Sequence, residues 1–267
     1  MKTIGFLGAG NMARALGGGL AKRPDAFRLV ATDPDAAATA RFAAETGGVI
    51  AADPAELLGA ADVLVLAVKP QVLGALLPRL APHLGPHHLV VSIAAGTQLK
   101  TLSQGLGAET RIIRTMPNTP ALVGEGMTVL VAGDRASPED VTIAREILAA
   151  AGEVIVVEDE GLMDAVTAVS GSGPGFVFAF AEAWLEGAEA VGLDPELARV
   201  LVRQTLLGAA TLWQRTGEEV ATLRAGVTSP GGTTQAGLEA LAAGGFATAV
   251  RSALEAATRR SRELSAG

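Results

Sequence analysis

The residues best equipped for chemistry lie in one run, Val227-Thr228-Ser229-Pro230-Gly231-Gly232-Thr233-Thr234, where four hydroxyls and two glycines interrupt Ala/Leu-rich helical sequence. Proline and the glycine pair break the helix, the glycines let backbone amides converge without Cβ interference, and Thr233 and Thr234 fall where the next helix begins. A helix start with free N–H groups attracts a carboxylate or phosphate. The run reads either as an anion cradle or as a capped turn between two surface helices, and taken alone it favours the turn.

A second segment, Ile4-Gly5-Phe6-Leu7-Gly8-Ala9-Gly10-Asn11-Met12-Ala13, fits G-x-G-x-x-A directly after a strand and opens a helix through Leu20. Gly8 allows a tight turn, Gly10 lets a pyrophosphate approach the backbone, and Ala13 lets helix and strand pack closely. Its context makes dinucleotide binding the better reading over a structural turn. Asp33 ends the second strand about 20 residues past Ala13, where a carboxylate hydrogen-bonds ribose hydroxyls and repels a 2′-phosphate, which leans toward NADH. Equally, Asp33 could cap the helix beginning near Ala36. No Arg or Lys lies between Asp33 and Ala40, and Arg41 is a distant candidate for holding a phosphate.

Ligands bind outside the carboxyl ends of strands in such sheets. Ala67-Val68-Lys69-Pro70-Gln71, Ser92-Ile93-Ala94-Ala95-Gly96 and Met116-Pro117-Asn118-Thr119-Pro120 fall there, with Lys69 and Asn118 as the polar side chains of interest. Proline punctuation of strand ends and an ordinary turn asparagine explain the same letters. Tyrosine and cysteine are absent, and the only histidines, His83, His87 and His88, sit before the fifth strand as solvated loop residues on the face opposite the crevice. A carbonyl-reducing dehydrogenase protonates a developing alkoxide through a positioned His, Tyr or Lys. Here only Lys69 is available by position. A protonated imine needs no such acid during hydride transfer, so the residue set suits C=N reduction better than C=O reduction.

The elements that must position these groups are α/β. Strand-like runs occur at Ile4 to Leu7, Leu29 to Thr32, Val49 to Ala51, Val63 to Val68, Leu89 to Ile93 and Arg111 to Thr115, with two more near Thr128 to Val131 and Val154 to Val157. Runs apolar on both faces, such as Val63 to Val68, predict a doubly wound sheet of βαβ units covered by helices on both sides. After Glu158 only helical patterns remain. Gly161 to Val191, with Phe176, Val177, Phe180 and Trp184, is apolar nearly all round and should be buried, within the chain or against a partner subunit. Two domains follow, residues 1–158 and 159–267.

With 49% apolar and 18% charged residues the chain is globular, and a net charge of −7 with scattered basic residues argues against nucleic-acid binding. The lack of cysteine removes disulfides, thiolate nucleophiles and Cys-based metal sites, and no metal is expected. No apolar run approaches the ~20 residues that span a bilayer. No export-type stretch precedes the first strand, so a cytoplasmic location is expected.

These motifs, with Pro117-Asn118-Thr119-Pro120-Ala121-Leu122-Val123-Gly124-Glu125-Gly126-Met127-Thr128 and Ala168-Val169-Ser170-Gly171-Ser172-Gly173-Pro174, resemble pyrroline-5-carboxylate reductases over essentially the full length. The resemblance implies reduction of 1-pyrroline-5-carboxylate to L-proline in proline biosynthesis, with NADPH or NADH. It implies a Rossmann-like sheet domain followed by an all-helical dimerisation domain that interleaves with a second copy, and larger rings of dimers. It also implies a site between the cofactor and the Ser229 to Thr234 loop, which the partner chain could supply. Leu7, Gly8, Ala9, Gly10, Asn11, Met12, Asp33, Ala67, Val68, Lys69, Pro70, Ala94, Ala95 and Gly96 would touch the cofactor. Gly231, Gly232, Thr233 and Thr234 would hold the substrate carboxylate, and Thr234 and Ser229 would be the catalytic hydroxyls. Many relatives carry Pro-Ala-Tyr where this chain has Pro174-Gly175-Phe176, so a hydroxyl role there is lost. Relatives commonly favour NADPH, against the lean of Asp33. The rival readings are a β-hydroxyacid dehydrogenase, which needs a catalytic lysine that the helical part lacks, and a non-catalytic NAD(P)-sensing dimer.

Overall fold

The computed structural model describes residues 1–266. Eight strands form one sheet: β1 (Lys2–Leu7), β2 (Phe27–Thr32), β3 (Val49–Ile50), β4 (Val63–Leu66), β5 (Leu89–Ser92), β6 (Arg111–Met116), β7 (Gly126–Ala132) and β8 (Gly152–Val156). Helices α1 (Asn11–Leu20), α2 (Ala36–Thr46), α3 (Pro54–Ala60), α4 (Pro70–Leu80), α5 (Leu99–Leu106), α6 (Pro138–Leu148) and the short α7 (Met163–Val166) accompany it. Strand order is β3-β2-β1-β4-β5-β6-β7-β8, so the chain reverses its direction of growth between β1 and β4. That is the doubly wound arrangement.

Alternation along the strands explains the two layers. Val63 and Val65 join Ile4, Phe6 and Leu16 in one apolar cluster, whereas Leu64 and Leu66 join Leu57, Leu73 and Leu102 in the other. Each helix buries one stripe: α1 places Ala13, Leu16, Gly17 and Leu20 against the sheet, at the spacing of a helical face. The last two strands depart from the βαβ expectation. β7 pairs antiparallel with β6, and β8 parallel with β7. The link from β6 to β7 is a 3₁₀ turn, Thr119–Val123, too short for a parallel crossover.

The chain divides into two compact units, Met1–Ser172 with the C-terminal stretch from Ala257, and Gly173–Ala256. The second contains α8 (Gly173–Ala190), α9 (Pro195–Thr216), α10 (Val220–Gly226), α11 (Thr233–Ala243) and the start of α12 (Phe246–Ala266). Phe176, Val177, Phe178, Phe180, Trp184, Leu207 and Trp213 are exposed there, and few side chains of the unit are buried. Burial within the chain, one of the two explanations for so apolar a helix, is therefore not what the fold provides. An apolar surface of this extent marks an interface. Among the described residues no helix is long and apolar enough to cross a membrane.

Candidate active site

In the first unit the loops after β1, β2, β4, β5 and β6 share the carboxyl edge of the parallel strands. Gly8 turns at φ +102°, and a Cβ there would stand 2.6 Å from the Ala67 carbonyl oxygen, so the β1 and β4 loops meet backbone to backbone. Gly10 is the N-cap of α1 and offers no capping side chain. The first bond of the helix runs from the Arg14 amide to the Gly10 oxygen, which leaves the Asn11, Met12 and Ala13 amides open. A Cβ on Gly10 would meet nothing within 4 Å, so the approach to these amides is clear. Leu7, Gly8 and Ala9 are buried beneath the turn and Asn11 is exposed.

Asp33 does something that neither reading of its position anticipated. Its Oδ2 accepts the Ala9 amide at 2.8 Å and its Oδ1 accepts the Asp35 amide at 2.8 Å. Asp35, not Asp33, caps α2 through the Ala37 amide, which corrects the capping alternative. Asp33 thus ties the glycine turn to the end of β2 and holds a carboxylate beside it. Arg41 lies 3.8 Å from Asp35 and is occupied there.

Asp33 also lines a cleft of about 460 Å³, within the size range of small-molecule sites. One wall is Val72, Ala75, Leu76 and Arg79 of α4. The other is Gly8, Thr32, Asp33, Pro34 and the Ala52-Asp53-Pro54 turn, with Leu7 and Val68 between them. The α4 wall escaped the sequence reading. Its signal was present as an i, i+3, i+4, i+7 stripe beside the buried stripe Leu73, Leu77 and Leu80, about 100° around the helix. The Arg79 side chain makes no ion pair or hydrogen bond among the described residues, and neither does the side chain of Lys69, which is exposed at the start of α4.

After β5, Ala94 is buried, Ala95 exposed, and Gly96 turns at φ +73°. The end of α12 returns to this loop. A Cβ on Gly96 would lie 3.7 Å from Leu264, and Ser261 and Ser265 donate to the same oxygen of Asp164 at 2.6 and 3.4 Å. Asn118 is fully committed: its amide donates to Ser170, and its oxygen accepts the Met127 amide at 2.9 Å. It pins the β6 loop to a π-helical turn, Thr167–Gly171, of the kind that recurs at functional sites. Arg114, buried in β6, pairs with Glu160 at 2.6 Å, and Glu160 also accepts the Leu99 amide and so caps α5 from a distance. Of the histidines, His83 and His87 are exposed, but His88 is buried. Its Nδ1 accepts the Gly85 amide, so the proton sits on Nε2 and goes to the Leu58 oxygen at 3.0 Å. The expectation of a solvated loop residue fails for His88, which anchors the start of β5.

In the second unit the Ser229 to Thr234 run forms a turn into α11. Thr228 donates its hydroxyl to the Arg224 oxygen and closes α10. The Gly232 amide donates to the Ser229 oxygen at 3.0 Å. The Gly231 amide donates to Gln235 Oε1 at 2.8 Å. The helix has a glycine N-cap without a side-chain bond, and its first bond runs from the Ala236 amide to the Gly232 oxygen. The amides of Thr233, Thr234 and Gln235 are left open, together with the Thr233 and Thr234 hydroxyls. Of the four residues assigned to the substrate carboxylate, Gly231 and Gly232 spend their amides inside the turn, and the open amides belong to Thr233 and Thr234.

Strand order, the uncapped glycine turn and the cleft beside it define a dinucleotide-binding protein of the Rossmann class with a helical unit appended. The family model described as pyrroline-5-carboxylate reductase dimerisation matches residues 160–264, and one described as NADP oxidoreductase, coenzyme F420-dependent, matches residues 3–96. The pyrroline-5-carboxylate reductase of Pseudomonas aeruginosa is 44% identical over 98% of this chain and 96% of its own. A solved pyrroline-5-carboxylate reductase from Coxiella burnetii superposes with a TM-score of 0.93 at 37% identity, covering 99% of this chain and 98% of that one. The Plasmodium falciparum pyrroline carboxylate reductase solved with NADP bound gives 0.87 at 31%, with the same coverage. The chain belongs to the pyrroline-5-carboxylate reductase family.

Proposed function

We infer that this protein reduces 1-pyrroline-5-carboxylate to L-proline with NADPH or NADH. The observation that carries the reading is the bare start of α11, where open amides stand beside two free threonine hydroxyls. The nicotinamide cofactor supplies the hydride that forms the new C–H bond at C5 of the ring. The chain's residues do the rest. Leu7 to Met12, Asp33, Ala67 to Pro70 and Ala94 to Gly96 hold the cofactor, with the open amides of α1 toward its diphosphate and the apolar cleft toward its base.

The Thr233 and Thr234 amides grip the substrate carboxylate, and Gly231 and Gly232 shape the turn that presents them. Such charge-assisted bonds contribute about 1.5–3 kcal/mol each. The Thr234 hydroxyl faces the ring nitrogen, and Ser229 is the second hydroxyl through which a proton is relayed to or from water. The iminium nitrogen already carries its proton and charge, and the C=N electron pair collapses onto it as a neutral amine. No acid has to act at that instant, which suits a chain without tyrosine or cysteine. Orientation then supplies most of the acceleration, a source good for about 7–11 kcal/mol when reactants are well aligned.

The chain works as a cofactor domain, 1–158, and a helical dimerisation and substrate domain, 159–267. The exposed apolar helices support an interleaved homodimer. Dimers assemble further into a ring, and the enzyme acts in the cytoplasm. Cofactor oxidation with pyrroline-5-carboxylate tests the activity, and a wild type that oxidises neither NADH nor NADPH refutes it. Thr234→Ala should lower kcat/KM about ten- to a hundredfold, the loss of one hydrogen bond to a charged group. An unchanged value removes Thr234 from the mechanism.

A further inference from the structure

We propose that Gln235 is a positioning residue for the substrate carboxylate, acting through the Gly231 amide and itself oriented by Glu239. The inference rests on the activity inferred above and concerns how its anion site is kept in shape. Gln235 is the third residue of α11, the position from which a side chain commonly reaches back to the N-cap amide. In this chain the N-cap amide, that of Gly232, is already bonded to the Ser229 oxygen. Gln235 therefore reaches one residue further and accepts from Gly231 at 2.8 Å.

Gly231 stands at φ +71°, a conformation that glycine enters and leaves at little cost. Without a partner for its N–H, the peptide before the cradle is free to rotate and to carry the two open amides with it. The Gly231 donor also fixes which end of the side-chain amide is oxygen. Nε2 must then point away from the turn, and there it donates to Glu239 Oε1 at 2.8 Å. Glu239, one helical turn further on, opposes a flip of the amide. A neutral amide at this place supplies the acceptor without setting a second carboxylate beside the substrate's own.

The test is steady-state kinetics on the assembled oligomer. Gln235→Leu should raise KM for pyrroline-5-carboxylate about three- to tenfold, the equivalent of one neutral hydrogen bond, with kcat within about twofold. The dissociation constant of the reduced cofactor and Tm should stay at wild-type values. Glu239→Leu should give a smaller rise in the same KM, and Glu239→Gln, which keeps an acceptor oxygen, should recover most of it. Because Glu239 acts only through Gln235, the double leucine variant should be no worse than Gln235→Leu alone.

An unchanged KM in Gln235→Leu overturns the proposal. So does a parallel loss in cofactor affinity and Tm, which marks a merely structural role, or strict additivity in the double variant. A wild type without activity on this imine refutes the inferred function and this proposal with it. An active wild type whose KM ignores Gln235 refutes the positioning role alone. If Gln235→Leu fails to assemble, the comparison of Glu239→Leu with Glu239→Gln decides by the same KM.

Discussion

Asp33→Asn separates two roles that the structure gives to one carboxylate. Its oxygens accept the Ala9 and Asp35 amides at 2.8 Å each, so the side chain is held in place beside the cleft it lines. Asparagine has a single acceptor oxygen, and one of the two amides must lose its partner. That loss, about 1–3 kcal/mol, loosens the glycine turn and weakens NADH and NADPH alike. The charge is felt differently. A 2′-phosphate carries about −1.5 to −2 charges, and at about 5 Å from a fixed carboxylate, in a dielectric close to that of bulk water, the repulsion is roughly 1–2 kcal/mol. The ratio of kcat/KM for NADPH over NADH cancels the common loss. It should rise about 5- to 30-fold, and the gain should shrink with added salt. Direct titration of each reduced cofactor by nicotinamide fluorescence should reproduce the ratio without turnover. If both cofactors weaken while the ratio stays within twofold of wild type, Asp33 is a latch for the turn and the electrostatic argument is wrong.

Three further outcomes follow from the packing. Glu160→Leu leaves the buried Arg114 charge unpaired and should cost about 3–5 kcal/mol by denaturant unfolding, whereas Arg114→Leu leaves the more exposed Glu160 and should cost less; equal losses would show that the ion pair is not the cause. Phe178→Glu, on an apolar side chain 64% exposed in the single chain, should lower the mass found by sedimentation or native mass spectrometry, and an unchanged assembly would place Phe178 outside the interface. Gly10→Ser fits sterically and supplies α1 with a cap, so cofactor affinity should fall while Tm holds or rises by a degree or two; unaltered affinity would mean that the open amides of α1 are not the diphosphate site.

The sheet was legible because its strands are apolar on both faces. Val63 to Leu66 can only be a strand covered by two helical layers, and the two core clusters divide it residue by residue as that predicts. Strand direction was not legible, since an apolar period carries no sense of polarity, and the reversal at β7 had to come from the short turn at Thr119–Val123. In Asp33-Pro34-Asp35 either carboxylate could have capped α2; the sequence holds no information on which one reaches the Ala9 amide, 24 residues away. The histidines were misjudged in one case of three for a related reason. His88 is next to β5 in the chain, and its partners on Gly85 and Leu58 become visible only once the strands are stacked. Gln235 was open to discovery, because an amide side chain three residues after a glycine cap is a recognised helix-start signal.

The caps set apart the two helix starts proposed to bind anions. On α2, α3, α6 and α9 the first amides are taken by a side chain of the chain itself, that of Asp35, Asp53, Ser137 and Asp194 respectively. The helix starts assigned to the cofactor diphosphate and to the substrate carboxylate, those of α1 and α11, both have glycine as the N-cap and no side-chain bond. Glycine gives up only a few tenths of a kcal/mol relative to a capping serine, while an anion drawn to a bare helix start gains about 0.3–2 kcal/mol from the dipole in addition to the hydrogen bonds themselves. The exchange is favourable only when the ligand is bound, so both helix starts are more stable in the complex than in the free chain. A protein with no tyrosine or cysteine to act as an acid can thus rely on uncommitted backbone amides to orient two anions, and on a substrate that brings its own positive charge.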